Sequence, residues 1–202
     1  KASSVCVLFI GIGGAMSQML KITDGALTTS GGMMLIICFV LGGIVGELLN
    51  IEGAFERFGA WLRKKTHNES DSGFLSGFIH ASLTVCIGAM AIVGSIQDGL
   101  LGDASLLCAK AALDAVIILV MTASMGKGCI FSAIPVAILQ GSVTLLSRVI
   151  APVMTDAAIA SLSFTGSVMI FCVGVNLIWG KTIKVANLLP TLVFAVVYTF
   201  LF

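Results

Sequence analysis

The stretch Gly31-Gly-Met-Met-Leu-Ile-Ile-Cys-Phe-Val-Leu-Gly-Gly-Ile-Val-Gly-Glu-Leu-Leu-Asn50 decides the fold. It is twenty residues long and holds one charged side chain, Glu47. At a rise of about 1.5 Å per residue, a helix of this length spans about 30 Å, the thickness of a bilayer's hydrocarbon core. Lipid offers no partner to backbone N–H and C=O groups, so a run of this kind must satisfy them internally as a helix. A transmembrane β-barrel needs short alternating strands, and none is found. Six further apolar runs accompany it: Ala2–Leu20, Gly73–Gln97, Ala104–Ser124, Cys129–Ala151, Ala157–Gly180 and Val185–Phe202. The expectation is an all-α, polytopic transmembrane bundle of about seven spans, forming one domain over residues 1–202.

Composition agrees. Of 202 residues 58% are apolar and 10% charged, with a mean hydropathy of +1.11. A soluble domain carries about 25% charged residues. Six of the 21 charged residues fall between Arg57 and Asp71. The net charge of +1 says nothing about nucleic acid, and no basic patch beyond one short loop suggests such a partner, so the lipid bilayer is the first partner expected. The six cysteines form no CxxC pair and no zinc spacing, so they read as small packing residues with free thiols and imply neither metal nor cofactor.

Segment breaks follow from turn chemistry. Lys21–Ser30 is a polar connection with Gly25. Asp98-Gly99 and Gly102-Asp103 bracket a tight turn, Gly126-Lys127-Gly128 separates two spans, and Pro152 to Asp156 ends another. Lys and Arg in short loops set orientation. With the loop at 51–72 in the cytoplasm, Lys1, Arg57, Arg63, Lys64, Lys65, Lys127, Lys181 and Lys184 share that side, against Lys21 and Arg148 opposite. Asp24, Asp98, Asp103 and Asp156 then face outward. Between Ile51 and Lys65 the apolar Ile51, Phe55, Phe58, Trp61 and Leu62 recur at helical spacing opposite Glu52, Glu56, Arg57 and Arg63. This predicts an amphipathic helix at the cytoplasmic interface, anchored by Trp61 and a basic cluster.

Four cysteines open the spacing C-x5-I-x-G: Cys6/Ile12/Gly14, Cys38/Ile44/Gly46, Cys86/Ile92/Gly94 and Cys172/Ile178/Gly180. Small residues that let helices approach closely explain it, as do the GxxxG pairs Gly42/Gly46 and Gly73/Gly77. A diverged internal duplication, as in transporters built from repeats, is the competing reading. The Gly-rich faces also make a homo-oligomer one outcome of packing.

The run Ala81-Ser-Leu-Thr-Val-Cys-Ile-Gly-Ala-Met-Ala-Ile-Val-Gly-Ser-Ile-Gln-Asp-Gly99 resembles the signature of the YqgA/YdfK-like bacterial membrane proteins, domain of unknown function 554. Gly46-Glu47-Leu48-Leu49, Gly102-Asp103, Lys110 with Leu113-Asp114, Phe131-Ser132-Ala133, Gln140-Gly141 and Ala186-Asn-Leu-Leu-Pro190 extend the likeness over essentially the whole chain. The resemblance implies a bacterial inner-membrane protein with no settled activity. It also implies a further apolar segment ahead of Lys1. Eight spans would then let the first three helices pair, inverted, with the last three.

Ionisable groups inside a span cost several kcal/mol and usually face a bundle interior or watery cavity. Asp114 lies about 15 Å along a helix starting at Ala104, near the bilayer centre. Lys110, four residues earlier, shares its face and can pair with it. The pair is either structural or a substrate- or coupling-ion site. Glu47, near a span end, is either solvated or part of that site. Asn176 either bonds a neighbouring helix or lines a path, and Gln140 lies mid-span. Asp98 caps a turn or sits at an outer mouth. Pro135 and Pro190 kink their spans or free carbonyls for a cation. His80 and Thr84 read as a helix-to-helix hydrogen-bond pair, and His67 as a loop residue. No Walker A, HExxH, GxSxG or paired aspartate motif argues for an enzyme. The expected function is passage of a small solute or ion, as transporter or channel. A membrane scaffold or sensor is the rival, and an intramembrane enzyme the third class.

Overall fold

The computed structural model describes residues 2–23, 26–66, 73–87 and 89–201. Lys1, Asp24, Gly25, His67 and the rest of the loop at 67–72 lie outside these residues. In chain order come α1 (Ala2–Met19), β1 (Leu20–Thr23), β2 (Ala26–Thr29), α2 (Gly32–Leu49), α3 (Ile51–Lys65), α4 (Phe74–Cys86) and α5 (Ala89–Leu101). Then follow α6 (Ser105–Met125), a 3-10 turn (Lys127–Ser132), α7 (Ala133–Leu145), α8 (Ser147–Ile150), a 3-10 turn (Ala151–Val153) and α9 (Asp156–Trp179). A last 3-10 turn (Val185–Leu188) leads into α10 (Pro190–Leu201). The fold is an all-α polytopic helical bundle. The connection expected at Lys21–Ser30 is a small antiparallel hairpin pairing Leu20 with Thr29.

Against an expectation of about seven spans, four helical stretches among the described residues are long and apolar enough to cross a membrane: α2, α6, Lys127–Leu145 and α9. The pair α4–α5, bent by 61°, forms either a broken fifth span or a re-entrant loop, while α1 and Val185–Leu201 are shorter apolar helices. Phe9, Met33, Ile36, Leu119 and Val149 expose large apolar side chains, as lipid-facing helices do.

The chain separates into two compact units, residues 1–51 with 153–202, and residues 52–152. In the first, α1 lies along α9 at close approach. A Cβ at Gly11 or Gly14 would collide with Phe171 or Ser167, and one at Gly174 would press on Leu8. Along α2, Gly42 sits on Thr191 and Gly46 on the Asn187 carbonyl. Met34, Cys38, Phe164 and Ala195 are buried together, with Val168, Phe194 and Tyr198 packed around them.

In the second unit, Gly77 faces Cys129 and the Met125 carbonyl, and Gly128 lies against the Phe74 carbonyl. Gly94 takes Leu107. Phe74 and Phe131 pack with ring centroids 5.3 Å apart. The small-residue reading therefore accounts for Gly14, Gly46 and Gly94 of the cysteine pattern. Gly180, the fourth, instead ends α9 at φ 86°.

Several expectations are corrected here. The third span is not continuous, because the backbone turns extended at Ile87 (φ −82°, ψ 115°). Its second half runs on through Asp98 to Leu101, and the turn falls at Gly102, whose φ is 69°. Asp103 then accepts a 3.0 Å bond from the Ser105 N–H at the start of α6. Bonds from Ser105 hold its carboxyl below the ordinary carboxylate range. Pro135 and Pro190 do not interrupt helices. Each lies in the first turn of its helix, directly after a 3-10 segment, where a missing N–H costs no helical bond. His80 and Thr84 bond their own helix, Nδ1 with the Ser76 carbonyl and Oγ1 to the His80 carbonyl, each at 2.8 Å. The amphipathic α3 forms as expected, with Phe58 stacked on Trp61 and Lys65 4.8 Å over the Trp61 ring. Glu52, expected on its polar face, is buried in the first turn, where the helix's positive end favours a carboxylate.

Candidate functional site

Two of the six predicted site residues have a shared cavity, and a third anchors it. Lys110 is the sixth residue of α6 and Asp114 the tenth, so one turn stacks them on a single face. The Lys110 ammonium donates to the Asp114 carboxylate and, at 2.9 Å, to the Val85 carbonyl. That carbonyl can receive it because α4 ends at Cys86 and the backbone turns extended at Ile87. The end of a helix also carries partial negative charge, which favours a cation. Lys110 is 6% exposed, while the Asp114 side chain keeps 21%. A cavity of about 260 Å³ opens beside the pair, lined by Asp114, Gln140, Ser132, Val85 and small or apolar residues of α6 and α7. It holds several times the room one water needs.

The other predicted residues serve different places. Asn176 is nearly buried and fully used: its Nδ2 donates to the Ile183 carbonyl at 2.6 Å. Its Oδ1 accepts from the Thr182 N–H at 3.1 Å, the Ile183 N–H at 2.9 Å and the Thr182 hydroxyl at 3.2 Å. It staples the turn that follows its own helix. Glu47 closes a polar knot at the end of α2, receiving Lys184 and, at 2.6 Å, Asn187 Nδ2. Both Glu47 and Lys184 are more than half exposed. Asp98 lies near the end of α5 and is not part of the cavity wall. Among the described residues no three His, Cys, Asp or Glu come together to hold a metal.

Sequence reading missed the Val85 carbonyl, because a backbone acceptor has no residue type to betray it. It also missed a repeat that the dipeptides Gly126-Lys127 and Gly180-Lys181 announce. Each closes a long helix with a glycine in the same unusual conformation, φ 94° and ψ −177° at Gly126, φ 86° and ψ −177° at Gly180. Each is followed by a 3-10 turn and a helix with proline in its first turn. Counting back from the glycine, Lys110 and Asp114 correspond to Phe164 and Val168. Counting on from the proline, Gln140 corresponds to Ala195. All three counterparts belong to the apolar core of the first unit. The same order of helix, glycine, 3-10 turn and proline-led helix thus carries apolar residues at these positions in one unit and lysine, aspartate and glutamine in the other, although α9 packs directly on α10 while α6 packs on the 3-10 turn before α7.

A family profile described as "Protein of unknown function (DUF554)" matches residues 1–200. The chain belongs to this family. Relatives of the DUF554 chain include the "Uncharacterized membrane protein YdfK" of Bacillus subtilis (strain 168), 27% identical over 168 residues, covering 83% of this chain and 70% of the relative. Another is the "Uncharacterized protein YqgA" of Escherichia coli (strain K12), 26% identical over 168 residues, 80% of this chain and 70% of that one. No solved structure matches it. The resemblance read from the Cys86–Asp98 block holds, and membership together with the apolar helices makes this a membrane protein.

Proposed function

We propose that this DUF554 chain moves a small solute or ion across the bacterial cytoplasmic membrane, with Asp114 supplying the key charge and Lys110 and Gln140 assisting. The observation that carries the reading is the polar lining itself. The repeat in the other unit packs Phe164, Val168 and Ala195 at the corresponding positions, so the architecture does not require charges there. Keeping a lysine and an aspartate at mid-helix costs several kcal/mol, and a cavity beside them gives that expense a use. Asn176 and Glu47 hold turns of the first unit, and Asp98 is not part of the cavity wall. The loop at 51–72 belongs on the cytoplasmic side, as the Lys and Arg distribution argues.

The test is flux and charge-moving current in proteoliposomes over a panel of inorganic ions and organic acids, comparing wild type with Asp114→Asn. Loss of one flux in the variant supports the reading. Identical fluxes throughout remove Asp114 from any transport mechanism.

The scaffold or sensor reading rests on α3, where Trp61 and Lys65 form an exposed aromatic–cationic face. Thiol labelling separates the two. Cysteines introduced at Ala111 and Ala115, which line the cavity, react with a membrane-impermeant reagent if water reaches Asp114. They stay inert in a scaffold.

A further inference from the structure

The geometry points to a monovalent-cation subsite made by the Val85 carbonyl and the Asp114 carboxylate, which the Lys110 ammonium fills in this conformation as a tethered cation. The inference rests on the transport reading and names its substrate class: a small inorganic monovalent cation, sodium or potassium, that competes with Lys110.

Both groups that receive the ammonium are oxygens of the kind hard cations prefer, a carbonyl at a helix break and a carboxylate. Broken helices that turn carbonyls toward a cavity form cation sites in transporters generally. One carboxylate and one helix end balance a single positive charge. A divalent ion would want six to eight oxygens, usually with more carboxylate. Gln140 and Ser132 line the same cavity and add neutral oxygens within the space a partly hydrated ion occupies. The room lies on the Asp114 side, while Lys110 itself is almost wholly buried against α4. Val85 and Asp114 both line the cavity and Lys110 does not, so an arriving ion takes the place of the ammonium on both oxygens.

The full chain is purified in detergent as wild type, Lys110→Met and Lys110→Met/Asp114→Asn, and held in choline buffer at a pH well above the carboxylate range. Sodium and potassium are then titrated in, reading radioactive-ion binding and melting temperature. Removing the tethered ammonium should expose the subsite. Lys110→Met then binds sodium or potassium saturably, about tenfold or more tighter than wild type, a factor equal to about 1.4 kcal/mol. The double variant loses that binding. Should Lys110→Met not yield folded protein, Lys110→Gln, whose amide still donates to Val85, is read in the same way. Folded single variants that respond to neither ion overturn the inference. If an organic solute still shows an Asp114-dependent flux in proteoliposomes, the subsite fails while the transport reading stands. If that flux is absent too, both fail.

Discussion

Copying the apolar pair of the first unit into the second, Lys110→Phe with Asp114→Val, separates a structural ion pair from a functional one. Lys110→Phe alone strands the Asp114 carboxylate. Removing one partner of a buried pair costs about 3–5 kcal/mol. The Asp114 side chain keeps 21% of its surface, however, and solvent screening brings the cost nearer about 2–3 kcal/mol. Asp114→Val alone strands an ammonium whose side chain is 8% exposed, with only the Val85 carbonyl left to it, for about 3–4 kcal/mol. Independent effects would sum to about 5–7 kcal/mol. The double variant has no charge to strand, and Phe164 and Val168 fill the corresponding positions in the first unit. It loses the donor to the Val85 carbonyl, about 1–3 kcal/mol, and so should fall well short of the summed loss. Equilibrium unfolding in mixed micelles, followed by circular dichroism in choline buffer, measures all four proteins. Flux through the double variant should be lost although it folds. A double variant as unstable as the sum of its singles would refute the reasoning, because additive losses mean that the two charges are not coupled.

Asn176→Ala deletes four hydrogen bonds and leaves the Thr182 and Ile183 N–H groups without partners, while the Ile183 carbonyl keeps the Val185 N–H. The expected loss is about 2–4 kcal/mol by the same unfolding assay, and a loss under about 1 kcal/mol would mean water replaces the staple. Gly128→Ala drives a Cβ into the Phe74 carbonyl and should cost at least about 2 kcal/mol through forced separation. Gly13→Ala meets nothing within 4 Å and should be neutral or stabilise by up to about 1 kcal/mol. Equal effects at the two glycines would contradict the close approach. In a Trp179→Phe background, Trp61 fluorescence should be quenched most by lipids brominated near the headgroup, and quenching from mid-chain bromines would move α3 off the interface.

The class of the molecule lay open in the sequence because membrane burial is a property of composition and run length. Gly31–Asn50 has too little polarity to face water and too much backbone to cross lipid unpaired, so a helix is forced before any neighbour is known. The adjacency of Lys110 and Asp114 was legible for the same local reason, a spacing of four on one helix. Tertiary packing decided everything that depends on which helices meet. It broke the third span at Ile87 and turned the Val85 carbonyl into a ligand for Lys110. It brought Gln140 to Asp114 and gave Asn176 and Glu47 to turns instead. In the first unit the corresponding positions are apolar and pack with Met34 and Cys38, and Phe164 there lines a cavity of about 420 Å³ that holds no charged side chain. A side chain's chemistry is written in the chain, but whether it meets a cavity or a core depends on surfaces supplied by segments dozens of residues away.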